Sequence, residues 1–399
     1  MTLSSLAGRR VLELGGYLAA PFACNVLQGL GADVIKVESM TGDPTRTAVR
    51  GGPGGTFIAY SHGKRSLCID LASAAGHEVF RRLLTTADIV VHDLSPASTR
   101  KLKVTEEDCL RENPHLIYCH IKSYGPGPRA DDVASNPIVE AATGVMFGNQ
   151  VNGRPTRLGP SYHDMFAGFN AVVGILSELI SRADGKSGAA LEIGLYETAL
   201  HVAARDLVTV GLDLQAEKGT TTHGEYAHPG YGAYETADGR WLYLLLLSDN
   251  HWAKFCSALQ LPEAADPSLA TRSQRQSRGA QVEAVVNRAI RLFAFAEMAT
   301  RLNAAAVGFT EVKRPAEVLD DVQAREEGKL VDVRYLGHEY QVPAFPINAK
   351  SSASKRSDPP LLAQHTREIL ASLGYSAAEY ATLIAQRAIP DTACPIRHS

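Results

Sequence analysis

The stretch VLELGGYLAAPFACNVLQGLGADVIKVE, from Val11 to Glu38, constrains the fold more than any other part of the chain. A short apolar run leads into Gly15 and Gly16, a helical pattern continues to Leu30, Gly31 turns the chain, and Val34 to Val37 forms a second apolar run. Short apolar runs bounded by glycine suit strands buried on both faces, and two of them joined by a helix make a βαβ unit. The alternation returns with helical Glu78 to Leu84 before Ile89 to Val91, and with Glu106 to Leu110 before Leu116 to Ile121. The pattern predicts an α/β domain with a parallel sheet and helices on both faces.

Further on, Phe166, Phe169, Val172, Val173, Leu176 and Leu179 or Ile180 recur at helical spacing, which predicts a long helix from about Asp164 to Arg182 with these residues facing the core. Gly185 and Gly188 stop it, Leu191 to Ile193 reads as a strand, and a helix follows from about Tyr196. Gln215 to His228 is polar and linker-like. GYGAYETADGRWLYLLLL then places a turn at Ala237 to Gly239 between two strands, and helical patterns run on to about Leu302, suggesting a smaller α+β domain. Asn348 to Pro360 is loop-like, and Gln364 to Leu373 is an amphipathic helix. The expected layout is a large domain over 1–205, a linker over 206–228, a small domain over 229–335, and a linker returning to the large domain over 336–399.

With 399 residues, two or three domains are expected. Thirty-four glycines and 20 prolines are too few for a low-complexity chain. Forty basic against 43 acidic side chains leave a net charge of −3, so no global field draws nucleic acid or an anionic membrane, and an anionic ligand needs local cations. Six cysteines without a CxxC pair suit free thiols in a reducing compartment. No signal-peptide core and no apolar run of ~18 residues is evident. These features predict a soluble cytoplasmic protein.

The chain lacks GxGxxG after its first strand, GxxxxGK[ST], HExxH, and GxSxG at a strand-to-helix turn. His223, Glu225 and His228 fit no ligand spacing, so no metal is expected. The Gly15 to Pro21 turn falls at the carboxyl end of a strand, where open α/β sheets bind ligands, although a tight turn alone also needs glycine. Lys64 and Arg65, or Lys101 and Lys103, are cations that either reach phosphates or stay solvated. Asp164 opens an apolar helix, whose amides and dipole should keep it ionised; it is either a cap or a reactive carboxylate.

Taken together, these segments resemble the family III CoA-transferases, the formyl-CoA transferase, carnitine CoA-transferase (CaiB) and BaiF group. The similarity runs through VLELGGYLAAPFACNVLQGLGADVIKVES, GDPTR, HGKRSLCIDL, ADIVVHDLSPASTRKL, NPHLIYCHIKSYGPGP, the PxxxDxxAG pattern from Pro160 to Gly168, GYGAYETADGRWLYL and HTREILASLGYSAAE. The resemblance implies a Rossmann-like large domain interrupted by a smaller one, two chains interlocked as a homodimer, and sites shared between one chain's large domain and the other's small domain. It implies an acyl-CoA and a small carboxylic acid as partners, with the CoA thioester as substrate rather than a permanently bound cofactor.

By the same resemblance Asp164 takes the place of the nucleophilic aspartate. Tyr17, Leu18 and Ala19 face the thioester, and Lys64, Arg65, Asp93, Leu94 and Lys101 contact CoA. Asp93 and Leu94 stand where the family has Asn-Phe, and Lys101 where it has Arg. Leu18 replaces the glutamine of formyl-CoA transferases, and Ser135 and Asn136 replace the His-Asp pair of the family's racemases. The expected activity is CoA transfer between carboxylic acids, or within one dicarboxylic acid. An α-methylacyl-CoA racemase and a non-catalytic CoA-binding module are the alternatives.

Overall fold

In the computed structural model, residues 5–47, 51–182, 188–212, 228–326, 328–347 and 358–392 are described. His223, Glu225, Cys394 and most of the 206–228 stretch lie outside them. The chain divides into two compact units, Met1–Leu214 with Glu326–Ser399, and Gln215–Arg325.

In the first unit the apolar runs become strands: β1 (Arg10–Leu14), α1 (Ala19–Gly29), β2 (Asp33–Glu38), β3 (Arg65–Cys68), α2 (Ala74–Leu84) and β4 (Ile89–His92). Next come α3 (Pro96–Lys101), α4 (Glu106–Glu112), β5 (Ile117–Lys122), α5 (Asn136–Ala142), α6 (Tyr162–Arg182), β6 (Ala189–Gly194), α7 (Leu195–Val202) and α8 (Ala204–Leu212). The six strands form one parallel sheet in the order β3-β2-β1-β4-β5-β6, with Leu12 beside Ile35 on one side and Val90 on the other. This is a doubly wound, Rossmann-like sheet whose order reverses between β1 and β4, and the crevice at the carboxyl ends of those strands is where such sheets take ligands.

One face of the sheet is covered by α1 and α6, through Ala20, Leu27, Ala167, Ala171 and Ile175. The other packs on Val79, Phe80, Leu83 and Cys109 and on the carboxyl-terminal Ile369, Leu370 and Leu383. The second unit contains a three-stranded antiparallel sheet of β7 (Tyr231–Glu235), β8 (Trp241–Leu245) and β9 (Gly308–Glu311), with β8 central. Its core joins Leu242 and Leu244 to Trp252, Phe255, Val282, Val286 and Met298 from three helices, an α+β arrangement.

Four expectations change. Residues 204–212, most of which were read as the start of a linker, form α8. Strand β10 (Leu330–Tyr335), expected at the end of the small domain, pairs in a hairpin with β11 (His338–Pro343), and both belong to the first unit. There Tyr335 packs on Phe57 and its hydroxyl accepts from buried Arg46 at 3.0 Å. The expected core stripe of α6 is largely exposed at Phe166, Phe169, Val173 and Ile180, while Ala167, Gly168, Ala171, Val172 and Ile175 are buried. Small residues allow α1 and the sheet to approach closely, and the larger ones are left outside. Finally, α6 has the length and apolar composition of a membrane span, with 21 residues and mean hydropathy 1.3 in its most apolar window, although no such run was expected. Here it lies against α1, β5 and β6. Cys24, Cys68, Cys109, Cys119 and Cys256 are buried free thiols.

Candidate active site at the reversal of strand order

The turn between β1 and α1 is gripped from both sides. Glu13 lies in the middle of β1 and Lys36 in the middle of β2, both fully buried, so each needs a partner inside the protein. Lys36 Nζ donates to Glu13 Oε1 at 2.6 Å and to the Gly15 carbonyl at 3.1 Å, and pairs with Asp43 Oδ2 at 2.7 Å. Lys64 Nζ donates to Glu13 Oε2 at 2.5 Å and to the Pro21 carbonyl at 2.8 Å. Burial alone would raise the Glu13 carboxyl, but the two ammonium groups outweigh it and hold it below the usual range, while Lys36 is held above its own.

From the other side, Asp93 just after β4 accepts from the Gly16 amide at 3.1 Å and the Ala20 amide at 3.2 Å. Between these anchors Tyr17 is in the left-handed region at φ 61° and is exposed. Among the described residues, no hydrogen-bond acceptor is found for the amides of Tyr17, Leu18 or Ala19. They open α1, where the helix leaves its first amides unsatisfied and its dipole favours negative charge.

Helix α6 brings Asp164 to this turn. At Gly168 a Cβ atom would lie 3.0 Å from the Ala19 carbonyl and 2.9 Å from the Phe22 ring, so glycine permits the close crossing. Asp164 is one helical turn earlier on the same face, about 6 Å along the axis from that contact. Asp164 was expected to be held ionised by the helix start, and burial works against that. Burial pushes Asp164 up to about 6, against a hydrogen bond with the Ser161 side chain and the positive charge of Arg157. Asp164 is the third residue of the helix and Ser161 immediately precedes it, so the capping place belongs to Ser161.

Asn136, the first residue of α5, fixes the neighbouring backbone. Its Oδ1 accepts from the His163 amide at 2.9 Å and lies 3.2 Å from His163 Nδ1, and its Nδ2 donates to Glu140 Oε2 at 3.3 Å. Glu140 Oε1 in turn accepts the Leu158 amide at 2.8 Å. Burial lowers His163, so the imidazole is neutral at neutral pH. Ser135 is exposed and makes no side-chain cap bond to α5.

Tyr17, Leu18 and Ala19 thus share the first turn with Asp93, Asn136 is bonded to His163 beside Asp164, and the two groups are joined where α6 crosses α1 at Gly168. The expected cations behave differently. Lys64 lies beneath the turn with its charge enclosed by Glu13, and Arg65 binds Asp33 and Glu368 at the amino end of the sheet, so neither presents a free charge to phosphates here. Lys101 is exposed at the end of α3, and half-buried Leu94 accepts His120 Nε2 at 2.9 Å through its carbonyl. Sequence reasoning missed Glu13 and Lys36, although a charge inside an apolar strand, VLEL or DVIKVE, signals a buried partner. It also missed Arg157, Ser161 and Glu140, which carry no comparable signal.

The family model for CoA-transferase family III matches residues 6–366. The succinate–glutarate CoA-transferase of Agrobacterium fabrum is 30% identical, over 92% of this chain and 95% of its own length. The succinyl-CoA:mesaconate CoA-transferase of Haloarcula hispanica is 29% identical, over 93% and 97%. A crystal structure of a CAIB/BAIF family protein from Brucella suis has a TM-score of 0.81 at 28% identity, covering 92% of this chain and 99% of that one. A match this long, on a chain whose sheet order and first turn have just been described, fixes the lineage: the chain belongs to CoA-transferase family III.

Proposed function

We propose that this CoA-transferase moves CoA from succinyl-CoA to a second short dicarboxylic acid, with Asp164 as the nucleophile. The observation that carries the reading is the position of Asp164, a half-buried carboxylate one helical turn before Gly168, where α6 meets the start of α1. The acids are supported by the names of relatives over nearly full length, which pair succinyl-CoA or succinate with mesaconate, glutarate and L-malate. Arg157, whose charge reaches Asp164, is a cation suited to the remote carboxylate of such an acid.

In the reaction, an Asp164 carboxylate oxygen attacks the thioester carbonyl carbon, the C–S bond breaks, and a mixed anhydride and CoA thiolate result. The thiolate attacks the aspartyl carbonyl, releasing the first acid and leaving an aspartyl-CoA thioester. The acceptor carboxylate attacks that carbonyl, expelling the thiolate and forming a new anhydride. Attack of the thiolate on the acceptor's acyl carbon then regenerates Asp164. The amides of Tyr17, Leu18 and Ala19 suit the oxyanion that develops at each carbonyl. Lys101 is the exposed cation available for CoA phosphates. The active form is a homodimer, and five buried free thiols support a cytoplasmic setting. Asn136 is engaged by His163 and no histidine stands at 135, so a proton-exchange reading finds no base there.

Asp164→Asn removes the anionic nucleophile while preserving size. The variant should fold, bind CoA, and lose at least about a thousandfold of transfer, the scale of losing a group the chemistry runs through. In the wild type, hydroxylamine added during turnover of succinyl-CoA should leave a hydroxamate at residue 164, found by mass spectrometry. A variant of wild-type rate, checked for deamidation to Asp, overturns the assignment.

A further inference from the structure

The carboxylate of half-buried Asp93 sits against the first turn, and among the described residues no cation touches it. Its two oxygens divide between two amides, Oδ1 to Gly16 and Oδ2 to Ala20, which bracket Tyr17, Leu18 and Ala19. The approach is so close that a Cβ at Gly15 would fall 2.1 Å from Asp93 Oδ1, so glycine is required there. On the opposite side the carbonyls at the two ends of the same turn, Gly15 and Pro21, point at Lys36 and Lys64. Carbonyls are thus drawn one way by ammonium groups and amides the other way by a carboxylate. What remains between them is three amides without an acceptor, one of them on a tyrosine in the left-handed region.

We propose that Asp93 is a positioning residue of the transfer reaction: through the amides of Gly16 and Ala20 it holds the turn so that the amides of Tyr17, Leu18 and Ala19 face the acyl group at Asp164. The proposal rests on Asp164 as the nucleophile, and it assigns Asp93 a role in geometry rather than in contact with CoA. Burial pushes the Asp93 carboxyl up to about 7, against the two amide bonds and the charge of Lys36 and with that of Glu13. A protonated carboxyl would turn a donor toward one of the amides, so the clamp needs the anion. Asparagine at this place supplies one acceptor instead of two and sets its NH2 against the other amide; alanine supplies none.

The test compares Asp93→Asn and Asp93→Ala with the wild type in the full-length protein. Transfer from succinyl-CoA should fall about a hundredfold in kcat for the alanine variant, the effect of misplacing a reacting geometry by about 1 Å, and by less for asparagine, with KM for succinyl-CoA within about threefold of wild type. Hydrogen exchange of the peptide spanning residues 15–22, followed by mass spectrometry in the absence of substrate, should be accelerated in the order alanine, asparagine, wild type, while the strand peptide over β5 is unchanged. Unaltered exchange in both variants overturns the clamp, and so does a rise in KM with kcat unchanged, which would mean direct contact with CoA. Since exchange needs no turnover, it decides the clamp even if the wild type proves unable to transfer CoA, an outcome that would count against the proposed function alone.

Discussion

At the residue scale the site is built on charges held at unusual protonation equilibria, and Asp164 has the most direct consequence. Its carboxyl is raised from 3.8 to about 6, chiefly by burial. The reactive form is the anion, and the clamp needs the Asp93 anion as well, so kcat/KM for acyl-CoA should be level above about 8, begin to fall as pH drops through about 7, and fall at least about tenfold per pH unit below about 6. The same shift has a sign for stability. A carboxyl easier to protonate when folded destabilises the native state at pH values above about 6, and that cost is relieved as pH falls from about 6 towards 3.8. Asp164→Asn should therefore melt at a higher temperature than wild type at pH 7.5, with the difference shrinking by pH 4.5. Equal melting temperatures at pH 7.5 would mean that the carboxylate is better solvated than its surroundings indicate. Lys64 teaches the complementary lesson. Its positive charge was legible in HGKRSLCIDL, whereas its enclosure by Glu13 depends on strand neighbours far apart in sequence.

At the element scale, most of the large unit was legible because strands buried on both faces must be apolar runs, and those runs are separated by helical patterns and glycines. Boundaries moved little: the helix expected from Asp164 begins at Tyr162, and the strand expected over Leu191 to Ile193 spans Ala189 to Gly194. The face of α6 was misread because periodicity registers hydrophobicity but not closeness of approach. Ala167, Gly168 and Ala171 look weak on a hydrophobic scale, yet they form the contact with α1, and Phe169 is left to pack edge-on against Phe22 at 4.9 Å between ring centres. Placement of the β10–β11 hairpin was equally hidden, since it hangs on Arg46 meeting Tyr335. The crossing makes a prediction. Gly168→Val puts branched carbons where even a Cβ meets the Ala19 carbonyl at 3.0 Å, so the helices must part or strain. It should cost about 1–3 kcal/mol in denaturant unfolding, as overpacking does, and lower kcat more than it raises KM, because the nucleophile moves with the helix. A Gly168→Val protein with unaltered kcat would show that the crossing does not set the position of Asp164.

At the scale of the whole molecule, the first unit carries an apolar surface that the described residues leave uncovered. Phe166 and Phe169 are 46% and 41% exposed, and Val173 and Ile180 are 66% and 73% exposed, along α6. Val202, Leu207, Val208 and Leu212 continue the exposure along α7 and α8. Single exposed apolar residues are ordinary, but a series on successive turns of a long helix and its successors is the kind of surface that a partner covers. A second copy is the occupant that fits the resemblance, in which linked chains complete each other's sites. Light scattering and sedimentation at nanomolar concentration should then give the mass of a dimer, because chains threaded as the resemblance implies could not separate without opening the fold. Replacing Val173 and Ile180 together with glutamate would bury two charges in that contact, at several kcal/mol each if unpaired, and should keep threaded chains from assembling. If the surface is used in this way, the double variant yields unfolded chain or aggregate with little transfer rather than a folded monomer. A wild-type monomer at nanomolar concentration would sink the assembly outright. A double variant that stays dimeric and fully active would locate the contact elsewhere, and binding of the wild type to lipid vesicles through α6 would give this face a membrane instead of a second chain.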